Sequence, residues 1–244
     1  MKRIILASFA LLATSYIQAQ TKFQPQDTEF YTPKLRTVET APNKAPSDAI
    51  QLFNGANLNQ WVSSKDPSKP ADWLVENGIL TVKPKSGDIQ TKENFEDFQL
   101  HLEWRSPLEI KGEGQGRGNS GIFLQGLYEI QILDNNNNPT YVNGQAAALY
   151  KQQPPLLTAT KKPGEWHAYD ILYSSPKFNK DVILVKKGTI TMLHNGVVVH
   201  YNTQIEGTTE YIGLPQQKSH GAGPIILQDH NDAVSFRNIW IRPL

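Results

Sequence analysis

The chain has 244 residues, and 24 lysines and arginines nearly balance 23 aspartates and glutamates, for a formal net charge of +1. That balance excludes the basic footprint by which a protein holds nucleic acid or an anionic membrane surface. Cysteine is absent, which excludes disulfides, thiolate metal sites and a lipidated cysteine.

In chain order, the first segment has the layout of a secretory signal. Lys2 and Arg3 form its charged start, Ile4 to Ala13 its apolar stretch, and Ala19 a small residue at a plausible cut. The apolar run is too short to span a bilayer. Residues 1–19 are expected to be a signal peptide, and the mature chain, with a net charge of about −1, to be periplasmic or secreted. Residues 20–49 are rich in proline, threonine and charge without a clear period. They are expected to form an N-terminal arm or linker, with an ordered strap as the alternative.

From residue 50 onward the pattern is of strands and turns. Trp73 to Val82 forms a hairpin in which Asn77-Gly78 supplies the positive φ angles of a type I′ turn, and Asn195-Gly196 repeats the device within Thr189 to Tyr201. Phe98 to Arg105 alternates cleanly, with Phe98, Leu100, Leu102 and Trp104 facing one way and Gln99, His101, Glu103 and Arg105 the other. After the glycine-rich run GRGNSG, the strand YEIQI sets Tyr128, Ile130 and Ile132 against Glu129 and Gln131. Trp166 to Tyr173, Asp181 to Gly188, Pro224 to His230 and Ala233 to Ile241 complete a set of short strands. Many short alternating strands separated by turn residues predict an all-β fold, a single jelly-roll-like antiparallel sandwich over residues 50–244.

Several strands carry polar residues on their second face: His101, Glu103 and Arg105; Glu129 and Gln131; Gln228 and His230. A solvated outer face accounts for most such alternation. Glu129 and Gln131 differ, being bracketed by apolar residues and preceded by glycines that permit a tight turn or a close backbone approach. If these strands are neighbours, their polar faces pool into a concave surface suited to a small carbohydrate. Asp134, Asn136 and Asn138 begin like a calcium loop, but proline occupies the sixth position and Gln145 the twelfth, so a plain polar turn is favoured. No histidine spacing points to zinc. No cofactor is specified, although Glu, Asp, His and Asn on the wet face leave a divalent cation possible.

Read together and in order, LFNGANLNQW, DFQLHLEWR, GNSGIFLQ, YEIQILDN, AAALY, KKPGEWHAYDI, LHNGVVV and PIILQDHNDAVSFRNIWIRPL resemble the 3-keto-disaccharide hydrolase family. That family is also described as 3-keto-glucoside 1,2-lyase/3-keto-2-hydroxy-glucal hydratase domains. The resemblance covers Ile50 to Leu244, and it departs at His167, where asparagine more often follows the tryptophan. It implies a concanavalin-like jelly roll and a substrate whose 3-hydroxyl a separate sugar oxidoreductase has already oxidised. It further implies proton removal from C2, loss of the C1 substituent and rehydration. On that chemistry Glu129 is expected to be the base and Glu103 a second carboxylate. His230, Arg105 and Asn119 are acid or donor candidates, with Gln131 and Gln228 holding hydroxyls. Two other readings remain: a conventional glycoside hydrolase using Glu103 and Glu129, and a non-catalytic carbohydrate-binding module with Tyr169 and Tyr173 on its wet face.

Overall fold

The computed structural model describes residues 22–29, 35–42 and 44–244. By contact the chain divides into two units, Met1–Thr37 and Val38–Leu244. The first contributes one described element, a 3-10 turn at Pro25–Thr28 in which Asp27 accepts the Gln24 N–H at 2.7 Å. The signal expected at residues 1–19 lies outside the described residues. No described helix is long and apolar enough to cross a membrane.

The second unit is built from strands. In chain order they are β1 (Ile50–Phe53), β2 (Trp61–Ser63), β3 (Leu74–Glu76), β4 (Ile79–Thr81), β5 (Ile89–Thr91), β6 (Phe98–Arg105), β7 (Ser120–Leu124) and β8 (Tyr128–Ile132). There follow β9 (His167–Ser174), β10 (Lys177–Phe178), β11 (Leu184–Lys186), β12 (Thr189–His194), β13 (Val197–Gln204), β14 (Ile226–Leu227) and β15 (Ser235–Pro243). The larger sheet runs β13-β12-β9-β6-β15-β4-β3, with β1 also on β15; the smaller runs β2-β5-β14-β7-β8; β10 and β11 form a separate ribbon. All the pairings between these strands are antiparallel, and the fold is the jelly-roll-like sandwich that the alternation predicts.

The core lies between the two sheets. Phe98, Leu100, Leu102 and Trp104 of β6 meet Ile122 and Leu124 of β7 and Ile130 and Ile132 of β8, all fully buried. Truncating one such leucine to alanine costs about 2–5 kcal/mol. Both Asn-Gly hairpins form as expected, with φ of +51 and +78° at Asn77-Gly78 and +54 and +79° at Asn195-Gly196.

One expectation is corrected here. Tyr169 and Tyr173 are not on a wet face: they are buried in the core, where Tyr169 donates to the Gln131 carbonyl at 3.0 Å and Tyr173 to Gln125 Oε1 at 2.6 Å. Period-2 alternation puts them on the same face as Ile171, and that face packs inward. The same face of β9 carries His167, which is buried, stacks on Trp104 at 4.1 Å and bonds His194 at 2.8 Å. Burial holds the two imidazoles neutral, with pKa values lowered to about 4 and about 3.

The segment ahead of β1 is tied to the sandwich. Ser47 N–H donates to the Glu39 carbonyl at 3.0 Å, and Asp48 receives Arg242 of β15 at 2.7 Å.

Candidate functional site

The smaller sheet ends at β8, and its free edge is covered rather than exposed. Tyr150 N–H donates to the Glu129 carbonyl, and Gln131 exchanges backbone bonds with Ala147 and Ala148, each at 2.9 Å. This pairing blocks the edge that would otherwise recruit another strand. The side chain of Tyr150, with Thr209 and Tyr211, forms a roof over the second face of β8, and all five residues of the strand are buried. Tyr128, Ile130 and Ile132 face the core. Glu129 and Gln131 therefore face the other way, beneath the roof, and are only 5% and 1% exposed.

A cavity of about 270 Å³ opens there. Glu129 and Gln131 of β8, Phe123 of β7 and Asn119 just before it line one part. Gln228 and His230, which follow β14, line another, and Tyr150, Thr209 and Tyr211 close it from the roof. The antiparallel register sets Phe123 against Glu129 and Gly121 against Gln131. Gly121 has a specific use: a Cβ there would lie 2.5 Å from Glu129 Oε1 and 3.1 Å from its Cδ. The carboxyl group occupies the space that a side chain at this position would fill. Another glycine of the run, Gly118, sits at φ +57°, where a Cβ would crowd Asp134 and Ser106 at 3.0 Å. The glycines thus provide one tight turn and one close approach.

Burial dominates the electrostatics. It pushes the Glu129 pKa up to about 8, and the carboxylate of Asp88 adds to the shift. Among the described residues no hydrogen bond ends on the Glu129 carboxyl oxygens, while its backbone N–H is held by Thr209 Oγ1 at 2.9 Å. The group is fixed by its strand, poorly solvated, and able to gain or lose a proton slightly above neutral pH.

The amides around it are oriented. Asn119 Nδ2 donates to the Gln115 carbonyl at 2.6 Å, and Gln131 Nε2 donates to Gln115 Oε1 at 2.8 Å. Because both partners are acceptors, the nitrogens must face them and the oxygens are left over. Asn119 Oδ1, Gln131 Oε1 and Gln228 Oε1 are buried without a hydrogen-bond partner. A buried acceptor left unpaired costs about 1–3 kcal/mol, so three around one cavity mark a place prepared for donors.

The expectation that every polar strand face would pool is corrected. β6 belongs to the larger sheet and β8 to the smaller, and alternation turns each polar face away from the shared core, onto opposite sides of the sandwich. Asn119, Glu129, Gln131, Gln228 and His230 come together. Glu103 and Arg105 do not join them. Glu103 receives Arg237 at 2.7 Å and Asn238 at 3.1 Å, and Arg105 lies over the Trp166 ring at 4.7 Å.

Sequence reasoning flags Gly121 only as part of GRGNSG, without its link to Glu129, and misses Asp88, Tyr150, Thr209 and Tyr211. Those four lie outside any strand pattern that marks them. In the 134–138 turn, Asp134 receives Arg117 at 2.8 Å, and Asn138 Oδ1 receives the Gly114 N–H at 2.7 Å. That use agrees with a plain polar turn. No group of three or more His, Asp or Glu suited to a metal occurs among the described residues.

Comparison with known proteins adds context. Residues 48–242 match the family described as the 3-keto-alpha-glucoside-1,2-lyase-like domain. A 3-keto-disaccharide hydrolase of Bacteroides thetaiotaomicron is 28% identical over 268 residues, covering 88% of this chain and 86% of that one. A crystal structure from Parabacteroides distasonis, described as a candidate glycosyl hydrolase, is 52% identical; it superposes with a TM-score of 0.88, over 92% of this chain and 98% of that one. A second structure from that organism, with the same description, is 21% identical with a TM-score of 0.61, covering 81% of this chain and 94% of that one, a likeness of fold alone.

Proposed function

This chain belongs to the 3-keto-alpha-glucoside-1,2-lyase-like family, and from that premise we propose that it is a carbohydrate-active enzyme that cleaves 3-keto-glycosides. The observation that carries the reading is the buried Glu129 carboxyl, ready to exchange a proton near pH 8 and surrounded by unpaired amide oxygens.

A ketone at C3 makes the hydrogen at C2 acidic. Glu129, ionised, takes that proton, and the electron pair of the C2–H bond forms an enolate with the C3 oxygen. Collapse of the enolate breaks the C1–O bond, and the electrons leave with the aglycone oxygen, which takes up a proton. Water then adds across C1=C2, with hydroxyl to C1 and hydrogen to C2, so the net change is hydrolysis. Asn119, Gln131 and Gln228 accept hydrogen bonds from the sugar hydroxyls. The Thr209 hydroxyl, which accepts the Glu129 N–H, keeps its own hydrogen to donate. His230, exposed at the rim, is placed to serve the leaving group.

A pKa near 8 suits a base that must be recharged near neutral pH. A two-carboxylate hydrolase using Glu103 has no common sugar position, since Glu103 lies across the sandwich. The substrate's ketone has to come from a separate sugar 3-oxidoreductase, and the proposed location is the periplasm or the exterior.

The test is to offer the purified protein a glucoside and its 3-keto derivative. Cleavage of the oxidised sugar alone supports the proposal. Cleavage of both supports an ordinary hydrolase, and cleavage of neither a binding module.

A further inference from the structure

Beside the cavity, the loop that carries Tyr211 has an apolar tip. Between Thr209 and Gln216 the chain runs Glu210-Tyr211-Ile212-Gly213-Leu214-Pro215, and the base of this loop is tied. Thr208 N–H donates to the Gln216 carbonyl, Thr209 N–H to the Leu127 carbonyl, and Glu206 N–H to Gln152 Oε1, each at 2.9 Å. The two arms pass so closely that a Cβ on Gly207 would lie 2.6 Å from the Gln216 carbonyl. The tip is nevertheless open to water: Tyr211 is 70% exposed, Ile212 84% and Leu214 79%. Tyr211 also lines the cavity that holds Glu129. The ammonium of Lys151 lies 4.4 Å from the Tyr141 ring and 5.8 Å from the Tyr211 ring, so two aromatic rings flank one cation at the mouth.

A cavity of about 270 Å³ is smaller than the roughly 300–1,000 Å³ of sites that enclose a drug-sized ligand. It holds one part of a glycoside and leaves the other at the mouth. We propose that Tyr211, Ile212 and Leu214 seat the aglycone, and that the chain selects glycosides of aromatic alcohols over those of a second sugar. This rests on the reading of the cavity as the sugar site. A second sugar would bring a ring of hydroxyls against Ile212, Gly213, Leu214 and Pro215, whose side chains offer no hydrogen-bonding group. An aromatic group would instead stack on Tyr211, which lines the cavity, and cover the exposed Ile212 and Leu214 that follow it in the same loop tip. The tied base holds the platform in place before the substrate arrives, so binding costs little loop ordering.

The test compares benzyl, methyl and glucosyl 3-keto-glucosides of one anomeric configuration; benzyl and methyl leave as alcohols of similar acidity. In the wild type, kcat/KM for the benzyl substrate should exceed both others by about tenfold, the scale of one well-covered ring. In the double variant Ile212→Ser/Leu214→Ser the benzyl-to-methyl ratio should fall to within about twofold of one. Binding of the unoxidised benzyl and methyl glucosides, measured by calorimetry, should show the same preference and the same loss. Equal kcat/KM for benzyl and methyl, a preference for the glucosyl substrate, or an unchanged ratio in the variant overturns the proposal and leaves the sugar site intact. A variant that alters the oligomeric state in sedimentation and leaves the ratio alone makes the tip a contact between copies, which also overturns it. If no 3-keto-glucoside is cleaved yet benzyl glucoside binds preferentially through the tip, the proposed reaction falls and the seat stands. If neither turnover nor preferential binding is seen, both fall.

Discussion

On the outer face of the larger sheet, His101 has Asp170 at 2.7 Å on one ring nitrogen and Asn238 at 3.2 Å on the other. Glu103 takes Arg237 at 2.7 Å and Asn238 at 3.1 Å, and Trp240 stacks on His101 at 5.2 Å. On the outer face of the smaller sheet, Glu129 has no donor on its carboxyl among the described residues, and three amide oxygens are buried unpaired. Both faces are polar and both come from alternating strands. In one, the protein satisfies its own groups, as a structural network must. In the other, three buried amide oxygens are left without a partner from the protein, each at a cost of about 1–3 kcal/mol.

The comparison breaks most decisively at Glu129. Glu129→Gln keeps the shape and removes the base, so kcat on a 3-keto-glucoside should fall by about 10²–10⁴-fold. In the wild type, kcat/KM should rise with pH along a limb near 8, as Glu129 ionises. Stability should move the other way. With its pKa raised from 4.5 to about 8, Glu129 keeps its proton in the folded state while the unfolded chain loses it. Its contribution is therefore complete below pH 4.5 and is lost as pH rises to 8. The glutamine variant escapes that loss, and near pH 8 it should melt above the wild type by about 2–4 °C or more, the equivalent of about 1 kcal/mol. A variant that keeps its activity, or melts lower at pH 8 than at pH 5 relative to wild type, would remove Glu129 from the role given it.

Gly121→Ala probes the same carboxyl from below. A Cβ placed 2.5 Å from Glu129 Oε1 must displace it, and a shift of about 1 Å in a catalytic group costs about 10²-fold in kcat. Circular dichroism should show the fold retained; normal turnover would mean that the carboxyl position is not critical.

Glu103→Gln tests the satisfied face. Its partner Arg237 is substantially exposed, so the loss should be about 0.5–1 kcal/mol in denaturant unfolding, with kcat within about threefold of wild type. A tenfold fall in kcat would bring the larger sheet into the site.

The smallest effect on activity is expected at a turn. Gly196 sits at φ +79°, and a Cβ there would meet nothing within 4 Å. Gly196→Val should therefore cost about 1 kcal/mol through backbone strain alone, with activity per folded molecule unchanged.

What can be read in advance follows the range of the forces involved. The limits of β6, Phe98 to Arg105, and the left-handed Asn-Gly turns follow from alternation and backbone sterics within a few residues, and the structure has them as expected. Which sheet a strand joins depends on pairing across the whole chain: β15, the last strand, sits between β6 and β4. Nothing local in FQLHLEWR or YEIQI says that they lie in different sheets, so alternation alone groups Glu103 and Arg105 with Glu129. Tyr169 and Tyr173 show the same limit in a single strand. Tyrosine suits either a core or a wet face, while Trp166, one residue before β9, lies outside the core beside the guanidiniums of Arg105 and Arg237, at 4.7 and 4.2 Å. Glu129 and Gln131 are legible because their apolar neighbours and the preceding glycines are adjacent in sequence. Tyr150, Thr209 and Tyr211 lie in segments without a period and reach the cavity only through the tertiary fold.

The most direct measurement is hydrogen exchange at C2. In deuterated water the wild type should release a 3-keto sugar carrying deuterium at C2, because the proton taken by Glu129 is replaced from solvent during rehydration, and Glu129→Gln should do so far more slowly. Product that keeps its original hydrogen at C2 would exclude elimination and leave direct hydrolysis, while normal exchange in the variant would show that another residue is the base.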